Sequence, residues 1–236
     1  MCINTDKNDT EIPAKDNGPN KLNIYNYLNF IGYLINFFIT FGVGTLGLTP
    51  GSQEIGDLSD KYQTIVTPNG TAFSIWGIIF TAQAVFAIGQ LFPKFRSKTA
   101  VQDGLKYWYF LVCIAQALWT FFFSYELITL SLPAIALVWI FLLCGITSQY
   151  YSGLERTHSE FWMLRFPFMV HCGWLTAATA LNTNVVIVNE AASESVQLTS
   201  GIISLAVLHA IAVVGLWIPK YPNYVIPSVL VWANVS

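Results

Sequence analysis

Charge is what this 236-residue sequence has least of: 11 Lys and Arg and 13 Asp and Glu make up only 10% of the chain. An ordinary soluble domain carries about a quarter charged residues. The net charge of −2 provides no basic field for a nucleic acid, so no nucleic-acid partner is expected. Cysteine is sparse too. Cys2, Cys113, Cys144 and Cys172 form no Cys-x-x-Cys pair, and three of them lie inside apolar runs. That excludes a disulfide scaffold and a zinc module, and reads them as small core hydrophobes. What is abundant is apolar surface, at 54% of residues, with aromatics at 15%. So much apolar area with so few charges calls for a lipid bilayer as solvent.

The first residues, up to Asn20, are polar and broken by Pro13, Gly18 and Pro19. The apolar run starts only near Tyr25, too far from a basic start for a cleaved signal, so residues 1–24 read as a disordered polar tail. Apolar runs long enough to cross a bilayer follow near 26–48, 71–92, 107–125, 130–150, 162–188 and 200–218. Residues 49–70, with Pro50, Glu54, Asp57, Asp60 and Lys61, read as a loop. Glu126 and Pro133 mark a tight turn between the third and fourth spans. The tail 223–236 is apolar but short, and Pro227 interrupts it; a partial seventh span and an interfacial piece both fit. The expected fold class is all-α, a polytopic integral membrane helix bundle. Counting loops alternately, ten of the eleven Lys and Arg fall on the side of the amino terminus and Lys61 alone on the other. This predicts a multi-pass protein with a cytoplasmic amino terminus. Plasma membrane, endoplasmic reticulum and an organelle envelope all fit.

Polar groups inside spans are expected to face protein or a cavity, and helical spacing shows whether they agree on a face. Asn29, Tyr33, Asn36 and Thr40 form one stripe in the first span. Trp76, Phe80, Gln83, Ala87 and Gln90 share one in the second, Gln116, Trp119 and Phe123 in the third, and His171, Trp174, Ala178 and Asn182 in the fifth. Two readings compete: interhelical hydrogen bonds that hold a bundle together, and an aromatic-walled pocket for a flat apolar ligand. Trp108, Trp162 and Trp217 sit where interfacial anchors belong, whereas Trp76, Trp119, Trp139 and Trp174 lie further inside. No catalytic constellation is visible. His171 and His209 lack an in-span carboxylate at helical reach and read as packed histidines, and Glu126 reads as a solvated turn residue. No enzyme activity, no metal and no required cofactor are expected. Ser200/Ser204 and Ala206/Ala210 give small-residue spacing suited to close packing or a homodimer contact.

Four of these segments carry a resemblance. Trp174-Leu-Thr-Ala-Ala-Thr-Ala-Leu-Asn182 is similar to the W-x-S/T-x-A-T-x-L-N signature in the last helix of the translocator protein/tryptophan-rich sensory protein (TspO/MBR) family. Gln116-Ala-Leu-Trp119-Thr-Phe-Phe-Phe123 resembles that family's N-x-x-W-S-x-x-F-F helix. Trp139 falls where its fourth helix carries a Trp, and Thr67-Pro68-Asn69-Gly70 with Phe73-Ser-Ile-Trp76-Gly77 resembles the approach to its second helix. The family's extra Trp before that helix is Thr71 or Ala72 here, the Phe-to-Trp spacing is one residue shorter, and His171 stands for the usual Tyr. The stretch after Asn182 lacks the Tyr and Arg of a sterol motif.

The resemblance implies a five-helix body over 25–188, with 189–236 as a C-terminal extension holding a sixth span and a partial seventh segment. It implies a membrane receptor or carrier for a porphyrin-like tetrapyrrole, with a sterol the weaker alternative. The implied ligand-binding residues are Trp76, Phe80, Gln83, Trp119, Phe123, His171, Trp174, Ala178 and Asn182. A structural accessory subunit of a larger membrane complex is the competing function, and a homodimer or such a complex the partner expectation. A light-assisted porphyrin-degrading enzyme is a third, minor reading that the family and the Trp content suggest.

Overall fold

The computed structural model describes residues 21–152, 157–217 and 223–235; the amino-terminal tail expected over 1–24 lies almost wholly outside them. Every regular element among the described residues is helical. Helix α1 (Ile24–Ile39) begins at Asn23, whose side chain accepts from the backbone of Tyr25 and Asn26 while Asn26 returns a bond to the Asn23 backbone. A wider turn, Thr40–Thr45, prolongs it. A short helix α2 (Ile55–Lys61) follows, then a tight 3₁₀ turn (Gly70–Ser74) that leads into α3 (Ile75–Gly89). The single turn α4 (Pro93–Arg96) precedes α5 (Trp108–Ser124) and α6 (Ile128–Tyr151). The turn α7 (His158–Glu160) precedes α8 (Phe166–Asn189), α9 (Glu194–Trp217) and α10 (Val225–Val235).

Four stretches are long and apolar enough to cross a membrane: Ile24–Thr45, Gly70–Gly89, Ile128–Tyr151 and Glu194–Trp217. Helix α5 has 17 residues, at the short end of a spanning length. Helix α8 has 24 residues and owes its lower hydropathy to His171, Asn182, Asn184 and three threonines. It can afford them because protein surrounds it: α3, α6, α9 and α10 all pack on it. Neighbour relations close a ring in the order α1, α3, α8, α6, α5 and back to α1, with α9 and α10 outside the ring against α8. The chain is therefore a polytopic membrane helix bundle.

Small residues set the close approaches. A Cβ on Gly32 would lie 3.0 Å from the Phe110 ring, so its absence lets α1 reach α5. At the end where the Lys and Arg of 94–106 gather, Asn26 and Gln90 exchange amide bonds (3.1 Å side chain to side chain, 2.8 Å to the Asn26 carbonyl). Lys98 and the buried Glu160 pair there at 3.0 Å. Cys113 and Cys172 are buried and Cys144 half-buried, all three unpaired.

Three expectations need correction. Residues 49–70 are not all loop, because α2 buries Leu58 and Ser59 and sets Asp57 in its first turn and Lys61 in its last, matching the helix dipole. Pro133 does not mark a turn: the reversal occupies 125–127, with Glu126 at φ +55°, and Pro133 lies inside α6. Pro227 does not interrupt the tail. It sits in the first turn of α10, where its missing N–H has no helical partner to lose. At 11 residues α10 is about 16 Å long, half the thickness of a bilayer core.

Candidate functional site

Polar side chains within the ring divide into two groups. In the first, most amides and hydroxyls bind one another, while the amides of Asn29 on α1 and Gln116 on α5 are buried without a partner. All four members of the α1 stripe are buried: Tyr33 donates to the Phe80 carbonyl (3.3 Å), and the Thr40 hydroxyl lies 3.4 Å from that of Thr120 on α5. Gln83 (α3), Tyr109 (α5) and His171 (α8) form a buried relay. The Tyr109 hydroxyl donates to Gln83 Oε1 at 3.1 Å, which turns Gln83 Nε2 toward His171 Nδ1 at 2.8 Å. Nδ1 is then the acceptor, and the imidazole proton resides on Nε2, which has no partner. Asn182 (α8) ties three helices. Its Oδ1 accepts from Trp119 Nε1 at 2.8 Å and its Nδ2 donates to Ser131 Oγ on α6 at 3.0 Å. Trp139 Nε1 donates to Thr176 Oγ1 at 2.9 Å.

The second group surrounds a cleft of about 770 Å³, a figure that includes the open space at its mouth. Its aromatic wall comes from Phe73 in the 3₁₀ turn before α3, Trp76 in the first turn of α3, Trp119 and Phe123 on α5, and Trp174 on α8. The rings meet edge to face: Trp76 and Trp174 at 6.2 Å between centroids, Phe73 and Trp174 at 5.7 Å. Trp119 and Phe123 stack at 5.5 Å. Ala177, Ala178, Leu181 and Val185 form a low floor along α8. Trp174 Nε1, buried in this wall, has no hydrogen-bond partner.

Of the nine residues expected to bind ligand, Trp76, Trp119, Phe123, Trp174, Ala178 and Asn182 line the cleft. Phe80 stacks behind Trp76 at 5.7 Å, and Gln83 and His171 are engaged with each other behind it. Asn182 reaches the cleft with its amide already committed to Trp119 and Ser131.

The cleft also has walls outside the stripes: Ile55 and Ser59 of α2, Val66 and Pro68, Leu205 and Leu208 of α9, and Ala233 and Asn234 of α10. Beside it, the partly exposed turn residue Glu126 is held by its neighbours. It accepts from Tyr62 at 2.9 Å and binds Lys61 and Gln53. The Lys61 ammonium holds the Glu126 carboxyl below the usual carboxylate range, and the same bond raises Lys61. Asn69 of the Asn-Gly-Thr triplet spends its side chain capping the Thr71 backbone at 3.0 Å. Among the described residues no group of His, Cys, Asp and Glu is placed to hold a metal ion.

A ring of five helices enclosing an aromatic cleft, with helices around it long and apolar enough to span a bilayer, defines an integral membrane bundle of the receptor or carrier kind. The family of TSPO-like proteins matches residues 26–236, nearly the whole chain. The protein belongs to that family, and the match runs on through α9 and α10. Searches of curated proteins and of solved structures find no match to it.

Proposed function

We propose that the protein is a non-enzymatic membrane receptor or carrier that takes a flat, apolar, porphyrin-like molecule into the cleft. The observation that carries this reading is the unpartnered Trp174 Nε1 in an otherwise apolar aromatic wall. A buried N–H without a partner is destabilising by about 1–3 kcal/mol, and a ligand carbonyl or carboxylate oxygen removes that penalty. Trp76, Phe73 and Trp119 supply the ring surface that a macrocycle needs, while Ala177 and Ala178 keep one side low. By the distribution of Lys and Arg, the end carrying residues 94–106 faces the cytoplasm, and α2 with the Glu126 cluster faces away from it.

The test is a protoporphyrin IX titration of the protein in nanodiscs, read by quenching of Trp fluorescence. A Trp76→Leu/Trp174→Leu variant with unchanged helical circular dichroism serves as control. Saturable quenching that the variant loses supports the proposal; quenching that never saturates, or that the variant retains, overturns it. A parallel titration with cholesterol tests the sterol alternative.

A second reading, a structural subunit of a larger assembly, is favoured by one observation. On α9 only Gly201 and Leu208 are buried, and Ile202, Ile203, Val207, Val213 and Val214 all face outward. Migration as a monomer after gentle solubilisation counts against it.

A further inference from the structure

The cleft is not bounded by the five-helix ring alone. Between the start of α3 and the middle of α8 the ring is closed by aromatic edges, Phe73 and Trp76 against Trp174, and α10 lies across this seam. It is fastened on both sides. Toward α8, Val229 seats on Gly173, where an added Cβ would lie 2.8 Å from Val229 Cβ and 3.2 Å from the Ile226 carbonyl oxygen, so only glycine admits the helix this closely. Toward α3, Trp232 Nε1 donates to the Ala72 carbonyl at 3.1 Å. Pro227, Val229 and Leu230 are buried in the contact.

We propose that α10 is the outer wall of the cleft, closing it against lipid, and that Ala233 and Asn234 contact the ligand and help decide which flat molecules fit. This rests on the reading of the cleft as a ligand site. Both residues line the cleft, as do Leu205 and Leu208 of α9. Ala233 presents the smallest side chain that keeps a helix well formed, leaving depth for a ring system. Asn234 donates through Nδ2 to the Leu230 carbonyl at 2.6 Å, which leaves Oδ1 to accept from a ligand. The cleft thus offers two polar groups of opposite sense, the Trp174 N–H donor and the Asn234 oxygen acceptor. The ligand chemistry they select is a flat apolar body with an acceptor oxygen and a separate O–H or ring N–H donor. A flat hydrocarbon lacks both and is disfavoured.

Protoporphyrin IX, which carries carboxylates and ring N–H groups, is the probe, titrated against full-length protein in nanodiscs. Ala233→Trp fills the cleft from the α10 side and should weaken binding about tenfold or more. Asn234→Leu removes one hydrogen bond and should weaken it about three- to tenfold. Val231→Trp, on the exposed face of the same helix, should leave affinity unchanged. Wild-type affinity in Ala233→Trp, or equal loss in Val231→Trp, overturns the assignment.

A second measurement needs no ligand. Gly173→Leu should lift α10, and quenching of Trp fluorescence by lipids brominated in their acyl chains should then rise relative to wild type. Unchanged quenching overturns the wall. If wild type fails to bind protoporphyrin while Gly173→Leu still raises this quenching, the porphyrin reading fails and the wall stands.

Discussion

Asn182 is the sharpest point at which to perturb this bundle, because one amide holds three helices. It is 3% exposed, and the Trp119 indole that donates to it at 2.8 Å is 7% exposed. Its Nδ2 bond to Ser131 runs to α6 at 3.0 Å. Interhelical hydrogen bonds in membranes average about 0.6 kcal/mol and reach about 1.7 kcal/mol, so losing two removes about 1–3 kcal/mol. Asn182→Leu also strands the Trp119 N–H in an apolar wall, adding about 1–3 kcal/mol. The sum is about 2–6 kcal/mol, large against the stability of a typical domain.

Trp119→Phe removes the same bond from the other side. It leaves Asn182 Oδ1 with only the Ser131 hydroxyl at 3.2 Å as donor, and should destabilise by about 1–3 kcal/mol. Once Trp119 is Phe, no stranded N–H exists, so the double variant should fall short of additivity by about 1 kcal/mol or more. Reversible unfolding in mixed detergent–SDS micelles, followed by helical circular dichroism, measures all four corners of the cycle. Additivity within about 0.5 kcal/mol would refute the claim that this bond couples α5 to α8.

The Glu126 carboxyl is lowered chiefly by its bond to Lys61 and the Lys61 ammonium raised by it. The pair therefore stabilises the fold between the two titrations: its contribution is lost as pH falls through the folded Glu126 value, below the ordinary 4.3 or so, and again as pH rises through that of Lys61, above about 10.4. Limited proteolysis of the segment 46–69 should accelerate at acid pH and, in Glu126→Gln, at neutral pH too; equal rates for variant and wild type would remove the clasp. On α9, an added Cβ at Gly201 would come within 2.2 Å of the Ile65 side chain. Gly201→Leu should thus destabilise by about 1–3 kcal/mol, and Ile65→Ala should restore part of it in a thermal melt. Pro227→Ala should change stability by under about 1 kcal/mol, since proline belongs in a first turn, whereas Val231→Pro in mid-helix should destabilise α10 by about 3 kcal/mol; detached α10 would be read as increased exposure of Trp232 to a soluble quencher.

How far the sequence reaches into this molecule depends on whether a feature is set by lipid or by packing. Lipid punishes every unpaired polar group alike, so the stripe Asn29, Tyr33, Asn36 and Thr40 had to turn inward, and all four are buried. The spans were legible for the same reason, their boundaries falling within a few residues of the helices. Helical periodicity, however, resolves a face and not a neighbour. Trp76 and Gln83 share one stripe on α3, yet Trp76 borders the cleft while Gln83 looks past it to His171 and Tyr109. Leu205 and Leu208 on α9 have the same apolar chemistry as Ile202 and Ile203, which face outward; no pattern of hydropathy separates a cleft wall from a lipid face. Helix α2 escaped for another reason, since seven residues cannot sustain a helix alone. Its stability comes from contacts remote in sequence: Lys61 and Tyr62 reach Glu126 across more than sixty residues, and Gln53 binds both the Glu126 side chain and the Ser124 carbonyl, the latter at 2.8 Å. The residues that give the cleft its family character lay in motifs and could be named. Those that close it, on α2, α9 and α10, are ordinary in composition and acquire a role only where the chain folds back upon α8.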